Sequence, residues 1–203
     1  MEKPKYRKIL LKISGEALLG DKSFGIDNKI IEQIAEELKE IHELGVKVGI
    51  VIGGGNIFRG VAGEKQGMDR ARADHIGMLA TLINSLVLQD ALFLKNLPCR
   101  VMSALEIIKV SESYIREKAL THLEKGRILI LACGTGNPFF TTDTAAVLRS
   151  LELKVEILFK ATKVDGVYDK DPIKDPTAKK YDILTFDEAL QKNLKVMDTT
   201  AFS

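Results

Sequence analysis

Two glycine-rich stretches and two lysines set into apolar runs carry the chemistry that this sequence advertises. Val48–Gly60, "VGIVIGGGNIFRG", is an apolar run that ends in three consecutive glycines, with Arg59 four residues beyond the last. Glycines at such a place allow positive φ and let amide N–H groups approach an anion that a β-carbon would obstruct. Arg59 can then lay a planar fork on phosphate oxygens, although by itself it is an ordinary surface arginine. The structural alternative, a tight strand-to-loop turn, needs one glycine rather than three.

Lys12 lies inside "LLKISGEA", and Lys160 repeats the arrangement at the end of "VEILF". Burying an ammonium near a strand end is expensive unless an anion compensates it. Two such lysines on separate strands can converge on one polyphosphate; the alternative is a pair of edge lysines that snorkel to water. The second glycine stretch, "GTGNPFFTTDTAA", joins flexible backbone, the Asn137-Pro138 turn, three hydroxyls ahead of Asp143, and Asp143 itself at a helix start. Thr141, Thr142 or Asp143 can cap that helix, and its N-terminus attracts phosphate. Capping leaves the length and polarity of the loop unexplained. Asp74, within "MDRARADHIGMLATLIN", is a candidate acceptor for ribose hydroxyls or a partner of Arg70 four residues earlier. His75 reads as structural.

Several chemistries are absent. There is no GxxxxGK[ST], and both "GGGNIF" and "GTGNPF" lack the third glycine of GxGxxG, which disfavours a dinucleotide oxidoreductase. Cys99 and Cys133 show neither CxxC nor metal-ligand spacing and read as buried free thiols. A formal net charge of +2 over 203 residues gives no argument for nucleic acid or a membrane surface. The N-terminus lacks an apolar signal core and no stretch approaches about 18 uninterrupted apolar residues, so the expected location is cytoplasmic.

The elements that must position these residues follow a strand–helix–strand rhythm. Tyr6–Ile13, Val46–Ile52, the "CRVMS" run, Arg127–Cys133 and Val155–Phe159 read as strands with little alternation, hence buried on both faces. Between them, Ile30, Ile31, Ile34, Leu38, Ile41 and Leu44 mark a helix stopped by Gly45; roughly Met68–Lys95, Ser113–Lys125 and "TAAVLRSL" mark others. On the helix from Met68, the apolar face is assigned to Ile76, Leu79, Leu82 and Ile83. The expected fold is α/β, a three-layer αβα sandwich with a mainly parallel central sheet. Lys160–Asp182, with Pro172 and Pro176, reads as a surface loop or lobe, and Thr185–Glu188 as the cap of a short helix. Ligands of such a sheet bind at the carboxyl ends of its strands, where all four motifs fall.

Taken in order, "ILLKISGEAL", "FGID", "VGIVIGGGNIFRG", "DHIGMLAT", "GTGNPFFTTDTAA", "KATKVDGVYDKDP" and "KVMDTTAF" resemble the bacterial-type uridylate (UMP) kinases of the amino acid kinase superfamily. The resemblance implies transfer of the γ-phosphoryl of Mg²⁺-ATP to UMP, giving UDP and ADP in pyrimidine nucleotide biosynthesis. It places Lys12, Ile13, Ser14, Gly15, Gly55 and Arg59 around the ATP phosphates, with Thr162, Tyr168 and Asp171 on the ATP side. Gly54, Asp74 and the run Thr135, Gly136, Asn137, Pro138, Phe139, Phe140, Thr141 and Thr142 fall to UMP, with Asn137 toward the base edge. Lys12, Arg59, Asp143, Lys160 and Asp198 form the catalytic charge network, with Mg²⁺ carried by the ATP phosphates rather than by protein ligands. Further implications are a homohexamer, activation by GTP through a segment near Gly20–Gly25, and inhibition by UTP.

Residues 1–203 are expected to form one amino acid kinase domain, 1–150 mainly the UMP-side lobe and 151–203 the ATP-side lobe. Family members usually continue past "MDTTAF", so the ATP-side lobe is expected to be incomplete. The alternatives are a kinase of the same fold acting on a small carboxylate or carbamate, and a noncatalytic nucleotide or oxyanion binder.

Overall fold

The computed structural model describes residues 4–65, 67–162, 164–194 and 196–202. The chain divides into two compact units, Met1–Ala161 and Thr162–Ser203. The lobe boundary expected at 150/151 falls inside a helix that runs Thr142–Leu153. The chain returns to the main sheet after that helix, which carries the first unit on to Ala161.

The first unit is built on six parallel strands: β1 (Lys8–Ile13), β2 (Lys47–Ile52), β3 (Cys99–Ser103), β4 (Glu112–Ser113), β5 (Ile128–Ala132) and β6 (Ile157–Ala161). Their spatial order is β4-β3-β5-β2-β1-β6. Parallel neighbours require crossovers, supplied by α1 (Asn28–Glu43), α2 (Gly60–Lys65) with α3 (Arg70–Leu94), α4 (Arg116–Glu124) and α5 (Thr142–Leu153). Successive side chains of a strand point to opposite faces, and the core divides accordingly. Ile9, Ile13, Val48, Ile50 and Ile52 pack with Ile31, Ala35 and Leu38 of α1 and with Leu88 and Leu92 of α3. Leu10, Val51, Leu129 and Leu131 pack on the other face with Ala119 and Leu123 of α4 and Ala146 and Leu153 of α5. This is the expected αβα sandwich.

Most elements lie where their periodicity places them, with caps that explain their ends. Asp27 caps α1 by accepting the Lys29 amide, and Asp69 caps α3 by accepting that of Arg72. Three readings need correction. Ser113 is not helical but ends the short strand β4, and α4 begins at Arg116. Lys160 lies within β6 rather than after it. On α3, Leu82 is buried, but Ile76, Leu79 and Ile83 are 38%, 44% and 48% exposed, so the assigned apolar face is split. The side of α3 that meets the sheet uses Met78, Leu88, Ala91 and Leu92. α3 is long and apolar enough to cross a bilayer, yet half of its most apolar window is packed inside the unit. Cys99 and Cys133 are buried and free, and burial pushes the Cys99 thiol up to about 11.

The second unit holds a two-stranded antiparallel ladder, β7 (Val167–Tyr168) with β8 (Lys180–Tyr181), followed by α6 (Phe186–Gln191) and α7 (Thr199–Phe202). The expected capping box is present: Thr185 accepts the Glu188 amide and Glu188 accepts that of Thr185. Asp165 accepts hydrogen bonds from Lys180 and Tyr168, which lower its carboxyl to about 2.

Candidate active site

The carboxyl ends of β1, β2, β5 and β6 gather the conspicuous residues of the first unit. Lys12 and Lys160 are register partners on neighbouring strands, so their side chains leave the sheet on the same face. That face is covered by α5, whose second residue is Asp143. Lys12 Nζ lies 2.7 Å from Asp143 Oδ1, an ion pair without a well-aligned hydrogen bond. Lys160 Nζ donates to Oδ2 at 2.8 Å. Burial alone would raise the Asp143 carboxyl, but its pairing with Lys12 and Lys160 outweighs it and holds the group below its ordinary value. Thr141, not Thr142 or Asp143, is the N-cap of α5, and it accepts the Asp143 amide at 3.0 Å. Two ammoniums on one carboxylate leave net positive charge at a helix N-terminus, an arrangement suited to an anion.

Beside this cluster, a cleft of about 360 Å³ opens between the ends of β2 and β5. Gly54, Gly55 and Arg59 line one wall; Asp74 and Thr81 of α3 line the floor; Gly134, Thr135, Asn137, Phe140, Thr141 and Thr142 line the other. The glycine turn is there for a reason that the sequence reading did not supply. Gly53, Gly54 and Gly55 do not have positive φ. A β-carbon on Gly54 would stand 2.7 Å from the carbonyl oxygen of Gly77 and 2.9 Å from the Ala80 β-carbon. One on Gly53 would stand 2.8 Å from the Gly15 amide nitrogen. The first two glycines therefore permit close packing on α3 and on the 3₁₀ turn that follows β1, whereas at Gly55 the nearest atom would be Arg59 Nε at 3.4 Å.

Other predicted residues have defined places. Ile13 is buried in the core and reaches the site through its carbonyl, which accepts the Gly53 amide at 2.8 Å. Ser14 caps the 3₁₀ turn Gly15–Leu19 through the Glu16 amide. Asp74 makes the ion pair with Arg70 and adds a further contact: both its oxygens accept from Arg70 Nε, and Oδ2 also accepts the Phe139 amide at 2.7 Å. Phe139 has φ of 71° and is largely exposed, and neither it, Gly136 nor Pro138 lines the cleft. Thr162, Tyr168, Asp171 and Asp198 belong to the second unit. There Thr162 donates to the Val164 carbonyl, Tyr168 donates to Asp165, and Asp171 and Asp198 accept the amides of Ile173 and Ala201.

Three contributors escaped the sequence reading. Glu16 forms an ion pair with Arg59. Asn84, fully buried, donates to the Gly53 carbonyl at 2.7 Å and exchanges hydrogen bonds with Asn56, which in turn donates to the Gly25 carbonyl. Thr81 Oγ1 accepts the Cys133 amide at the base of the second loop. A polar Asn84 in the middle of an apolar helix was the available signal.

A six-stranded parallel sheet with paired glycine loops and a lysine–aspartate–lysine cluster at its carboxyl edge defines the class. The chain belongs to the amino acid kinase family, whose model it matches over residues 7–203. It is 58% identical over 201 residues to the uridylate kinase of Methylococcus capsulatus, covering 99% of this chain and 84% of that one. Among solved structures, the UMP kinase of Bacillus anthracis superposes with a TM-score of 0.93 at 43% identity, covering 97% of this chain and 82% of that chain. The UMP kinase of Ureaplasma parvum gives 0.92 at 40% identity, covering 98% and 85%.

Proposed function

We propose that this chain is a UMP kinase, transferring the γ-phosphoryl group of ATP to the phosphate of UMP to give UDP and ADP. The observation that carries the reading is a cleft that gathers Gly54, Gly55 and Arg59, Asp74, and Thr135, Asn137, Phe140, Thr141 and Thr142 of the second loop. The identities of 58%, 43% and 40% with uridylate kinases over nearly the whole chain support it.

The chemistry asks for little besides position and charge. A nucleoside monophosphate is already an anionic nucleophile near neutral pH, so no general base need be built. In-line transfer requires two mutually repelling phosphates to be aligned and their charge offset. Lys12 and Lys160, oriented by Asp143, would meet the donor phosphates, and Arg59 would reach across to the transferring group. Gly54 would face the acceptor phosphate, Asp74 the acceptor ribose, and Asn137 with the rest of its loop the base. Thr162, Tyr168, Asp171 and Asp198 are assigned to the ATP side and the charge network.

Mg²⁺ enters as part of the ATP substrate, offsetting charge on its phosphates. Asp143 is already committed to two ammoniums, which suits a metal carried by phosphate better than one held by this carboxylate. Among the described residues, no three His, Cys, Asp or Glu side chains gather as a metal site.

A cytoplasmic homohexamer serving pyrimidine nucleotide synthesis, activated by GTP and inhibited by UTP, completes the proposal. The exposed Ile76, Leu79 and Ile83 of α3 support a subunit contact. The hydrogen bonds between Gly25 and Asn56 support an effector segment near Gly20–Gly25, because they tie it to the glycine turn.

A coupled assay with Mg²⁺-ATP and UMP, CMP, dUMP, acetylglutamate or aspartate tests the reading. UDP formation from UMP in preference to the carboxylates is expected. Tight ATP binding with no UDP formed would overturn it in favour of a nucleotide sensor.

A further inference from the structure

Arg149 is 6% exposed, on the third turn of α5, and lies outside the cleft and the lysine cluster. Its guanidinium is fixed on three sides. One nitrogen donates to Glu152 Oε2 at 2.6 Å; the plane lies over the Tyr114 ring at 3.8 Å; the other terminal nitrogen donates to the Gly134 carbonyl at 3.3 Å. Glu152 is itself held by the Tyr114 hydroxyl at 2.7 Å, and its carbonyl accepts from Arg116 Nε at 2.7 Å. Tyr114 is anchored to the sheet, because its amide donates to the Ser103 carbonyl at 2.8 Å.

The carbonyl that Arg149 reaches is the first of the loop that walls the cleft. Cys133 and Gly134 take consecutive positive φ values, 62° and 59°. A non-glycine residue persists in that region only when its surroundings hold it. Thr81 holds the Cys133 amide on the α3 side, and Arg149 holds the Gly134 carbonyl on the α5 side.

We infer that Arg149 is a positioning residue for the acceptor nucleotide, acting through the Gly134 carbonyl to set the base of the Thr135–Thr142 loop. The inference rests on the reading of this cleft as the UMP site. Fork geometry is what the position uses: a planar group with two separated donors can span Glu152 and Gly134 while stacking on a ring, which an ammonium cannot.

The test compares Arg149→Met and Arg149→Lys with Leu153→Ala, a core truncation in the same helix chosen to lower thermal stability without touching the loop. Steady-state kinetics would be read with UMP and ATP varied in turn, and amide hydrogen exchange over residues 135–141 would be followed in parallel. Arg149→Met should raise KM for UMP about tenfold, the effect of losing a charge-assisted hydrogen bond, and speed exchange in the loop. KM for ATP should stay within about twofold. Arg149→Lys, the variant to use if Met does not fold, should shift both readouts in the same direction by less. Leu153→Ala should leave both close to wild type. The inference is overturned if Leu153→Ala reproduces the rise in UMP KM and loop exchange, or if neither Arg149 variant changes them. A wild-type chain that forms no UDP would instead remove the UMP reading, while loop exchange would still report whether Arg149 holds Gly134.

Discussion

Lys12 and Lys160 stand side by side as register partners on β1 and β6, and both ammonium groups close on the carboxylate of Asp143. Strand register, not sequence proximity, makes them a pair across 148 positions. Lys12 is almost fully buried, so Asp143 is what allows its charge to exist there.

Asp143→Asn should therefore destabilise the first unit by about 3 kcal/mol, because it leaves a buried ammonium without its counter-charge. The Asp143 carboxyl is held below its ordinary 3.8. A depressed folded value means the stabilisation is complete above about pH 4 and is lost as pH falls through the lower folded value. The difference in unfolding free energy between wild type and Asp143→Asn, from denaturant titrations, should be flat from pH 7 to 5 and shrink below 4. A gap that does not narrow on acidification would contradict the pairing.

Arg59→Ala should lower kcat about a hundredfold, the cost on the order of 3 kcal/mol of removing one electrostatic contact from a phosphoryl-transfer site. Its side chain is 57% exposed and its partner is Glu16, so the melting temperature should hardly move. Near-normal turnover would take Arg59 out of the site.

Asp74→Asn should raise KM for UMP about tenfold with little change for ATP. The carboxylate lines the cleft and also holds the Phe139 amide and Arg70, so weaker acceptor binding should accompany a looser loop. An effect confined to ATP would invert the assignment of donor and acceptor sides.

Gly54 and Gly55 should separate packing from chemistry. Gly54→Ala pushes a methyl group into the Gly77 carbonyl and should lower stability by about 1–3 kcal/mol. Gly55→Ala meets only the flexible Arg59 side chain, and it should keep the melting temperature while reducing turnover. Equal stability losses in calorimetry would show that the two positions share one role.

The strands, the long helices and the four strand-end motifs were legible because each declares itself over a few neighbouring residues. Tyr6–Ile13 reads as a two-sided strand from composition alone, and Thr185 with Glu188 reads as a cap from spacing alone. What escaped was set by partners distant in the chain. The sheet-facing side of α3 could not be told from its exposed side, because apolar residues populate both. The glycines were legible as a turn, but the packing on Gly77 and Gly15 that requires two of them was not. Arg149 lay unnoticed in "TAAVLRSL", since nothing local says that its guanidinium reaches back fifteen positions to Gly134.

The sheet order places β5 directly beside β2, with Gly49, Ile50 and Val51 registered on Leu129, Ile130 and Leu131. The two walls of the cleft are consequently neighbours through a pairing that spans some eighty positions of chain. Such distant pairings carry the largest loop-closure cost and tend to limit folding speed. A nucleotide lodged between the walls would thus recognise a product of long-range strand pairing, and its affinity would depend on a ladder that no local segment of the chain can supply.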